Sequence, residues 1–257
     1  FGGSDAEGAW IWRDGYDAVE AALVLQLRRL SPQISRLEDA PAEICALLAN
    51  LADLGLTHTR RSEEQVALDQ FSTPPQLGAL AVLAAQIRPG DQVLEPSAGT
   101  GLLAVLAEAC GGCVTLNEIA DQRGAILEGL FPLAARSAHD ARHLKDILPA
   151  SGNLHAVVAN PPFQVLEDHL HAALDTLADG GRLSAIVPTR LFEDAASMRR
   201  LAARGAVVLR LAFPPRAYAK HGTSVETGLL VVDRGQAGET APVIAAETLA
   251  DAARAAG

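Results

Sequence analysis

The order of apolar and polar positions divides the chain near residue 91. Before it, apolar residues recur at helical spacing. "DAVEAALVLQLRRL" (17–30) and "APAEICALLANLADLGL" (40–56) each present an apolar stripe, and the second has Asp39 near its cap and Pro41 in its first turn. "SEEQVALDQF" (62–71) opens on the Ser62–Gln65 spacing of a capping box. "TPPQLGALAVLAAQI" (73–87) follows, with prolines placed for a helix start. Beyond residue 91, short apolar runs alternate with helix-like segments. "QVLEP", "CVTLNEI", "ARSAHD", "HAVVAN", "RLSAIVP", "VVLRLAF" and "VETGLLVVDR" read as seven strands. Such alternation predicts an α/β fold, a mostly parallel sheet with helices on both faces. The last two strands, joined by a long connection without a helix, suit an antiparallel hairpin at one end of the sheet. The expected organisation is a helical extension over 1–70, the sheet domain over 71–235, and a C-terminal tail or linker over 236–257.

At 257 residues and 49% hydrophobic composition the chain can bury a proper core. The longest apolar stretch, "LGALAVLAAQI", is too short to span a bilayer. The opening "FGGSDAEGAW" has neither an initiator Met nor the look of a signal peptide, and reads as the start of a piece of something longer. Three cysteines make no disulfide framework and fit a reducing cytoplasm. Cys110-Gly-Gly-Cys113 reads as two buried thiols flanking a glycine helix stop, and His139 and His143 lack partners for a metal, so no metal is expected. A net charge of −10 argues against a chain that grips nucleic acid over its whole surface. The charge is uneven, however: Arg182 to Lys220 carries eight Arg/Lys against Glu193 and Asp194. This run is either the solvated face of a helix or a local phosphate-facing rim.

In a parallel sheet, ligands bind beyond the carboxyl ends of the strands. The first strand leads into Glu95-Pro96-Ser97-Ala98-Gly99-Thr100-Gly101, a small-residue turn in which glycines allow close backbone approach. It has neither the third glycine of a dinucleotide fingerprint nor the Gly-Lys-Ser/Thr ending of a P-loop. The second strand ends at Glu118, where a carboxylate can accept both hydroxyl protons of a ribose, although taken alone it also reads as a surface acid. The third ends at Asp140, placed to receive the exocyclic amine of a purine. The fourth ends at Asn160-Pro161-Pro162-Phe163, where prolines force the chain out of the sheet. Each feature is weak alone; their order is strong.

This series resembles the class I, S-adenosylmethionine-dependent methyltransferases, and within them the enzymes that methylate the 6-amino group of adenine in DNA. The resemblance runs from about Phe71 to Arg234 and has the gamma order of motifs, cofactor before catalysis. It implies a Rossmann-like fold with S-adenosylmethionine as cofactor. "FSTPPQLGALAV" is similar to the segment in which Thr73 and Pro74 border the cofactor. "EPSAGTG" is similar to the cofactor loop, Glu118 to the ribose acid, Asp140 to the adenine-contacting acid, and "NPPF" to the catalytic motif. By that resemblance Asn160 and the Pro161 carbonyl would hold the target amine, Pro162 would stiffen the turn, and Phe163 would stack on a flipped base. DNA is the implied partner, with Arg190, Arg199, Arg200, Arg216, Lys220 and His221 as its contacts. A narrower resemblance, in "GAWIWRDGYDAVEAALVLQLRRL" and "YAKHGTSVETGLLVVDR", is to bacterial strawberry-notch-like proteins, where a methylase-like domain precedes a helicase region. Two alternatives stay open: a methyltransferase for RNA guanine or protein glutamine, and a non-catalytic module that binds cofactor or DNA in a helicase or antirestriction assembly.

Overall fold

The computed structural model describes residues 3–36, 40–54, 72–148, 152–215, 217 and 225–256. Asp39, the Ser62–Gln65 capping box, Phe71, Arg216, Tyr218, Lys220 and His221 lie outside the described residues.

Helix α1 (Trp12–Arg36), α2 (Pro41–Leu54) and α3 (Pro75–Ala84) come first. Pro74 is the N-cap of α3 and Pro75 its first residue, where a missing N–H costs nothing. α1 continues through Pro32, past the end of the periodic stretch, and Ile34 beyond the proline is buried in the core. There, packing overrides a local breaker.

The sheet begins with β1 (Gln92–Glu95), followed by α4 (Leu102–Ala109) and β2 (Cys113–Asn117). Next come α5 (Asp121–Leu130), β3 (Ala135–Ser137), β4 (Leu154–Ala159) and α6 (Leu166–Thr176). The chain continues through β5 (Leu177–Pro188), α7 (Ala195–Ala202), β6 (Gly205–Ala212) and β7 (Thr227–Arg234). It ends with β8 (Val243–Ala245) and α8 (Leu249–Ala256). The strands form one sheet in the order β3-β2-β1-β4-β5-β7-β6-β8. Only β7 runs against its neighbours, antiparallel to both β5 and β6. The expected hairpin is therefore present, but β7 folds back between β5 and β6.

Seven strands were expected and eight are found. β8 pairs in parallel with β6, Arg210 opposite Val243, inside the segment read as a tail. It is three exposed residues long, too short to show an alternating pattern.

Alternate residues of each central strand enter different cores. Val93, Ala156, Val158, Ile186, Leu229 and Val231 face α3, α4, α5 and α8, with α1 and α2 packed outside. Leu94, Val157, Ala159, Val187, Leu230 and Val232 face α6 and α7. Both faces are dry, which is why these strands read as unbroken apolar runs. Gly111, with φ +89°, stops α4 as expected, and Cys110 beside it is buried. Cys113 is exposed instead of buried, because β2 has only just entered the sheet there. Among the described residues no helix is long and apolar enough to cross a membrane.

Ala253 of α8 is fully buried in the core shared with α2 and α3. Ala253→Asp should lower the free energy of unfolding by about 3 kcal/mol in chemical denaturation. An unchanged midpoint would show that α8 lies outside the cooperative core.

Candidate active site

From β1 the chain steps outward to β2 and β3, then returns to β4 on the other side of β1. The loops leaving β1 and β4 therefore diverge and open a crevice at the carboxyl edge of the sheet. A cavity of about 260 Å³ occupies it, lined from six separate parts of the chain.

The β1 exit supplies Glu95, Pro96, Ser97, Ala98, Gly99 and Thr100 to the cavity wall. Glu95 is 3% exposed, and its Oε2 accepts the N–H of Ala104 in the first turn of α4 at 2.8 Å. Burial raises its carboxyl well above the ordinary range, opposed by these amides and reinforced by the neighbouring Glu118. Gly99 and Gly101 have φ of +56° and +89°. A side chain at Gly101 would come within 2.3 Å of the Phe131 ring, whereas one at Gly99 would meet nothing nearer than Arg123 at 3.6 Å. Gly101 thus serves packing, and Gly99 leaves its backbone bare toward the cavity.

Two neighbours carry the β2 exit. Glu118 Oε2 accepts the N–H of Gly99 at 2.7 Å, and its Oε1 accepts that of Ala120 at 2.9 Å. Burial lifts its carboxyl too, opposed by those amides and by Arg123. Asn117, 1% exposed, donates from Nδ2 to the carbonyls of Pro96 at 2.9 Å and His139 at 2.8 Å. Its Oδ1 accepts from the Ser137 hydroxyl at 2.8 Å and the His139 N–H at 3.0 Å. One amide therefore ties together three strand exits.

Past β3, Asp140 accepts the Arg142 N–H and its guanidinium Nε, each at 3.0 Å. Those hydrogen bonds hold its carboxyl well below the usual range. Both residues line the cavity, with His139 and Ala141. At the β4 exit, Asn160 donates from Nδ2 to the Thr73 hydroxyl at 3.0 Å. Thr73, Asn160, Pro162, Gln164 and Val165 line the wall. Pro74, Pro161 and Phe163 are buried beside it, Phe163 opening a single turn over Phe163–Val165. The Phe163 ring, expected as a stacking surface, is 8% exposed in this conformation. His169 of α6 closes this side, and burial lowers its pKa.

Glu20 of α1 also lines the cavity. Its Oε2 accepts from the Thr100 hydroxyl at 3.1 Å and its Oε1 from the Ser72 hydroxyl. Nearby, Asp17 receives Arg123 Nε at 3.2 Å and lies 3.5 Å from Arg13 Nε. Glu20, Asn117 and Arg123 were not singled out from sequence. Glu20 had a signal: Arg13, Asp17 and Glu20 share the helical stripe that continues as Val24 and Leu27, so charged residues occupy a buried face.

Of the six described cations in the basic run, four are engaged within the fold. Arg182 pairs with Asp233, Arg200 with Glu167, and Arg204 with Asp175, while Arg210 donates to the carbonyls of Ala241 and Phe192. Arg190 and Arg199 are exposed. Arg190 sits just after β5, at the same sheet edge as the cavity, and α7 carries Arg199 and Arg200 away from that edge toward the start of β6. Among the described residues there is no grouping of three or more His, Cys, Asp or Glu that could hold a metal ion.

No family model matches the chain. It is 32% identical over 134 residues to ribosomal protein L11 methyltransferase of Thermus thermophilus, a match covering 50% of this chain and 49% of that protein. The chain thus spans about half the length of the curated relative it matches. A modification subunit of a putative type I restriction enzyme from Vibrio vulnificus superposes with a TM-score of 0.56 at 19% identity, covering 68% of this chain and 47% of that one. A putative RNA methyltransferase from Pyrococcus horikoshii gives 0.52 at 18%, covering 76% and 98%. At such identities the likeness establishes the fold, the Rossmann-like fold of methyltransferases.

Two substitutions test this description. Glu95→Gln keeps an acceptor for Ala104 and removes a carboxyl that burial favours in its neutral form. Because the folded pKa lies above the unfolded one, the Glu95 carboxyl costs the native protein stability as pH rises past the ordinary 4.5, a contribution the variant lacks. The thermal midpoint of Glu95→Gln should exceed the native one at pH 8, with the gap closing toward pH 4.5; a gap independent of pH would contradict the account. Asn117→Ala should cost about 3 kcal/mol in urea unfolding, since it strands polar partners at the exits of β1 and β3. A cost below about 1 kcal/mol would mean that the exits hold one another without it.

Proposed function

We propose that the chain is an S-adenosylmethionine-dependent methyltransferase whose acceptor is the 6-amino group of adenine in DNA. The observation that carries this reading is the position of Asn160: the first residue past β4, followed by two prolines, it opens into the same cavity as Gly99, Glu118 and Asp140. The cavity fits the cofactor by its chemistry. Bare backbone at Gly99 suits close approach, Glu118 suits a ribose diol, and Asp140, still carrying lone pairs beside Arg142, suits the adenine amine. Thr73, Pro96, Ser97, Ala98 and Thr100 complete the wall, with Pro74 and Gly101 bracing it from behind.

When bound, the cofactor supplies a methyl group already activated on a sulfonium. The protein has to make a poor nucleophile better, because the lone pair of an aromatic amine is delocalised into its ring. Asn160 Oδ1 and the Pro161 carbonyl accept the two amine protons, which localises that lone pair. The Thr73 bond and the stiff Pro161-Pro162 backbone orient both acceptors in advance, so no reorganisation accompanies transfer. Phe163 stacks on the flipped base once the Phe163–Val165 turn rotates its ring outward. Arg190, Arg199, Arg200, Arg216, Lys220 and His221 belong to the proposed DNA rim; the exposure of Arg190 and its place at the sheet edge support it most directly, and Arg200 would have to exchange Glu167 for phosphate. A helicase region, as in strawberry-notch-like proteins, is the proposed source of DNA for the module. The same amine geometry serves guanine in RNA or the amide of glutamine, and the likeness to a ribosomal-protein methyltransferase keeps a protein acceptor in the test.

The test is labelled methyl transfer from S-adenosylmethionine to duplex DNA, single-stranded DNA, ribosomal RNA and a release-factor protein, with nucleoside analysis. Label is expected as 6-methyladenine in DNA, and Asn160→Ala should reduce its rate about a hundredfold or more while cofactor affinity changes by less than about threefold. Label in RNA or protein would replace the substrate. No transfer by the native chain, despite cofactor binding, would favour a binding module.

A further inference from the structure

The buried stripe of α1 carries charge where its continuation carries Val24 and Leu27. Charged groups are buried at a cost and persist where they are paired or used. Asp17 is accounted for by pairing, held between Arg13 and Arg123. Glu20 differs from Asp17 in that it lines the cavity. Arg123 Nη2 lies 3.8 Å from Glu20, and its closer partners include two neutral hydroxyls, those of Ser72 and Thr100. Both hydroxyls belong to cavity-lining segments, as does Glu20 itself.

The position along the cavity matters. Asp140 and Glu118 stand at the exits of β3 and β2, the ends assigned above to adenine and ribose. Glu20 reaches the glycine turn through Thr100, and it binds Ser72, whose chain neighbour Thr73 binds Asn160. The reactive methyl must come to Asn160. The part of the cofactor that extends past the sulfur, its amino acid, therefore lies in the stretch of cavity that Glu20 walls. A carboxylate there, held by hydroxyl donors on both oxygens, matches a primary ammonium group and repels a carboxylate.

We propose that Glu20, delivered by the N-terminal helix, binds the ammonium of the methionine moiety of the cofactor, so that α1 is part of the cofactor site. This rests on the cofactor reading given above. No bond is made or broken in it; an ammonium–carboxylate hydrogen bond forms as the ligand enters.

Calorimetry with three unreactive ligands tests it: S-adenosylhomocysteine, its analogue with hydrogen in place of the α-amino group, and 5′-methylthioadenosine, which lacks the amino acid altogether. The native protein should bind the deaminated analogue at least tenfold more weakly than S-adenosylhomocysteine. Glu20→Gln should lose about tenfold for S-adenosylhomocysteine and less than about twofold for the other two, the ligand–protein analogue of a double-mutant cycle. Equal losses for all three ligands, or none, would overturn the proposal by making Glu20 structural. Should Glu20→Gln fail to fold, the native comparison decides: no preference for the amino-bearing ligand refutes the contact. Failure of the native protein to bind any of the three would overturn the cofactor reading, and this proposal with it.

Discussion

The site hangs on the four hydrogen bonds of one buried amide. A primary amide can donate two hydrogen bonds and accept two, and Asn117 does all four, to partners at the exits of β1 and β3 while itself ending β2. An aspartate there would turn two acceptor carbonyls toward a carboxylate, and an aliphatic residue would strand every partner. With these three exits locked, the glycine turn can present the Gly99 N–H to Glu118. The crevice between β1 and β4 then has one rigid wall before anything binds, which is what preorganisation requires.

Four carboxyl groups share this crevice, each in a different condition. Glu95 is buried against the start of α4 and favoured as the neutral acid. Glu118 is buried too, but backbone amides and Arg123 draw it back toward the charged form. Asp140, half exposed and gripped by Arg142, is a firm anion. Glu20 takes hydroxyls from Ser72 and Thr100 with Arg123 close by. Residue type alone would not separate these roles; burial and donor set do. All four line the cavity, and Glu95 also braces the turn that enters α4.

The helices on either side of the sheet domain are structurally continuous with it. α1 packs on α4 and α5 and brings Glu20 to the cavity, and α8 fills a gap over α2 and α3 while β8 extends the sheet beyond β6. The positive stretch between Arg182 and Lys220 illustrates the opposite lesson. Counted along the chain it is a concentration of cation. Among the described residues, Asp233, Glu167 and Asp175 pair with three of its cations, and Arg210 caps carbonyls. Linear charge density measures potential only where the acids that fold against it are known.

Much of the fold and the outline of the site were legible in the sequence, because they depend on local backbone chemistry. Gly99 and Gly101 occupy positive φ that glycine adopts without strain, and prolines after Asn160 end a ladder they cannot join. Apolar runs of strand length implied a sheet covered on both faces, and the order of strand exits located Glu118, Asp140 and Asn160 on one edge. The tertiary structure alone decided which side chains meet. Thr100 and Glu20 are 80 residues apart, Asn160 and Thr73 are 87 apart, and nothing local to either member specifies its partner. β8 was invisible because three exposed residues carry no period, and their strand form is imposed by the edge of β6. Phe163 was placed correctly in the chain, yet whether its ring faces the cavity or the interior depends on packing around one short turn, which spacing along a sequence does not encode.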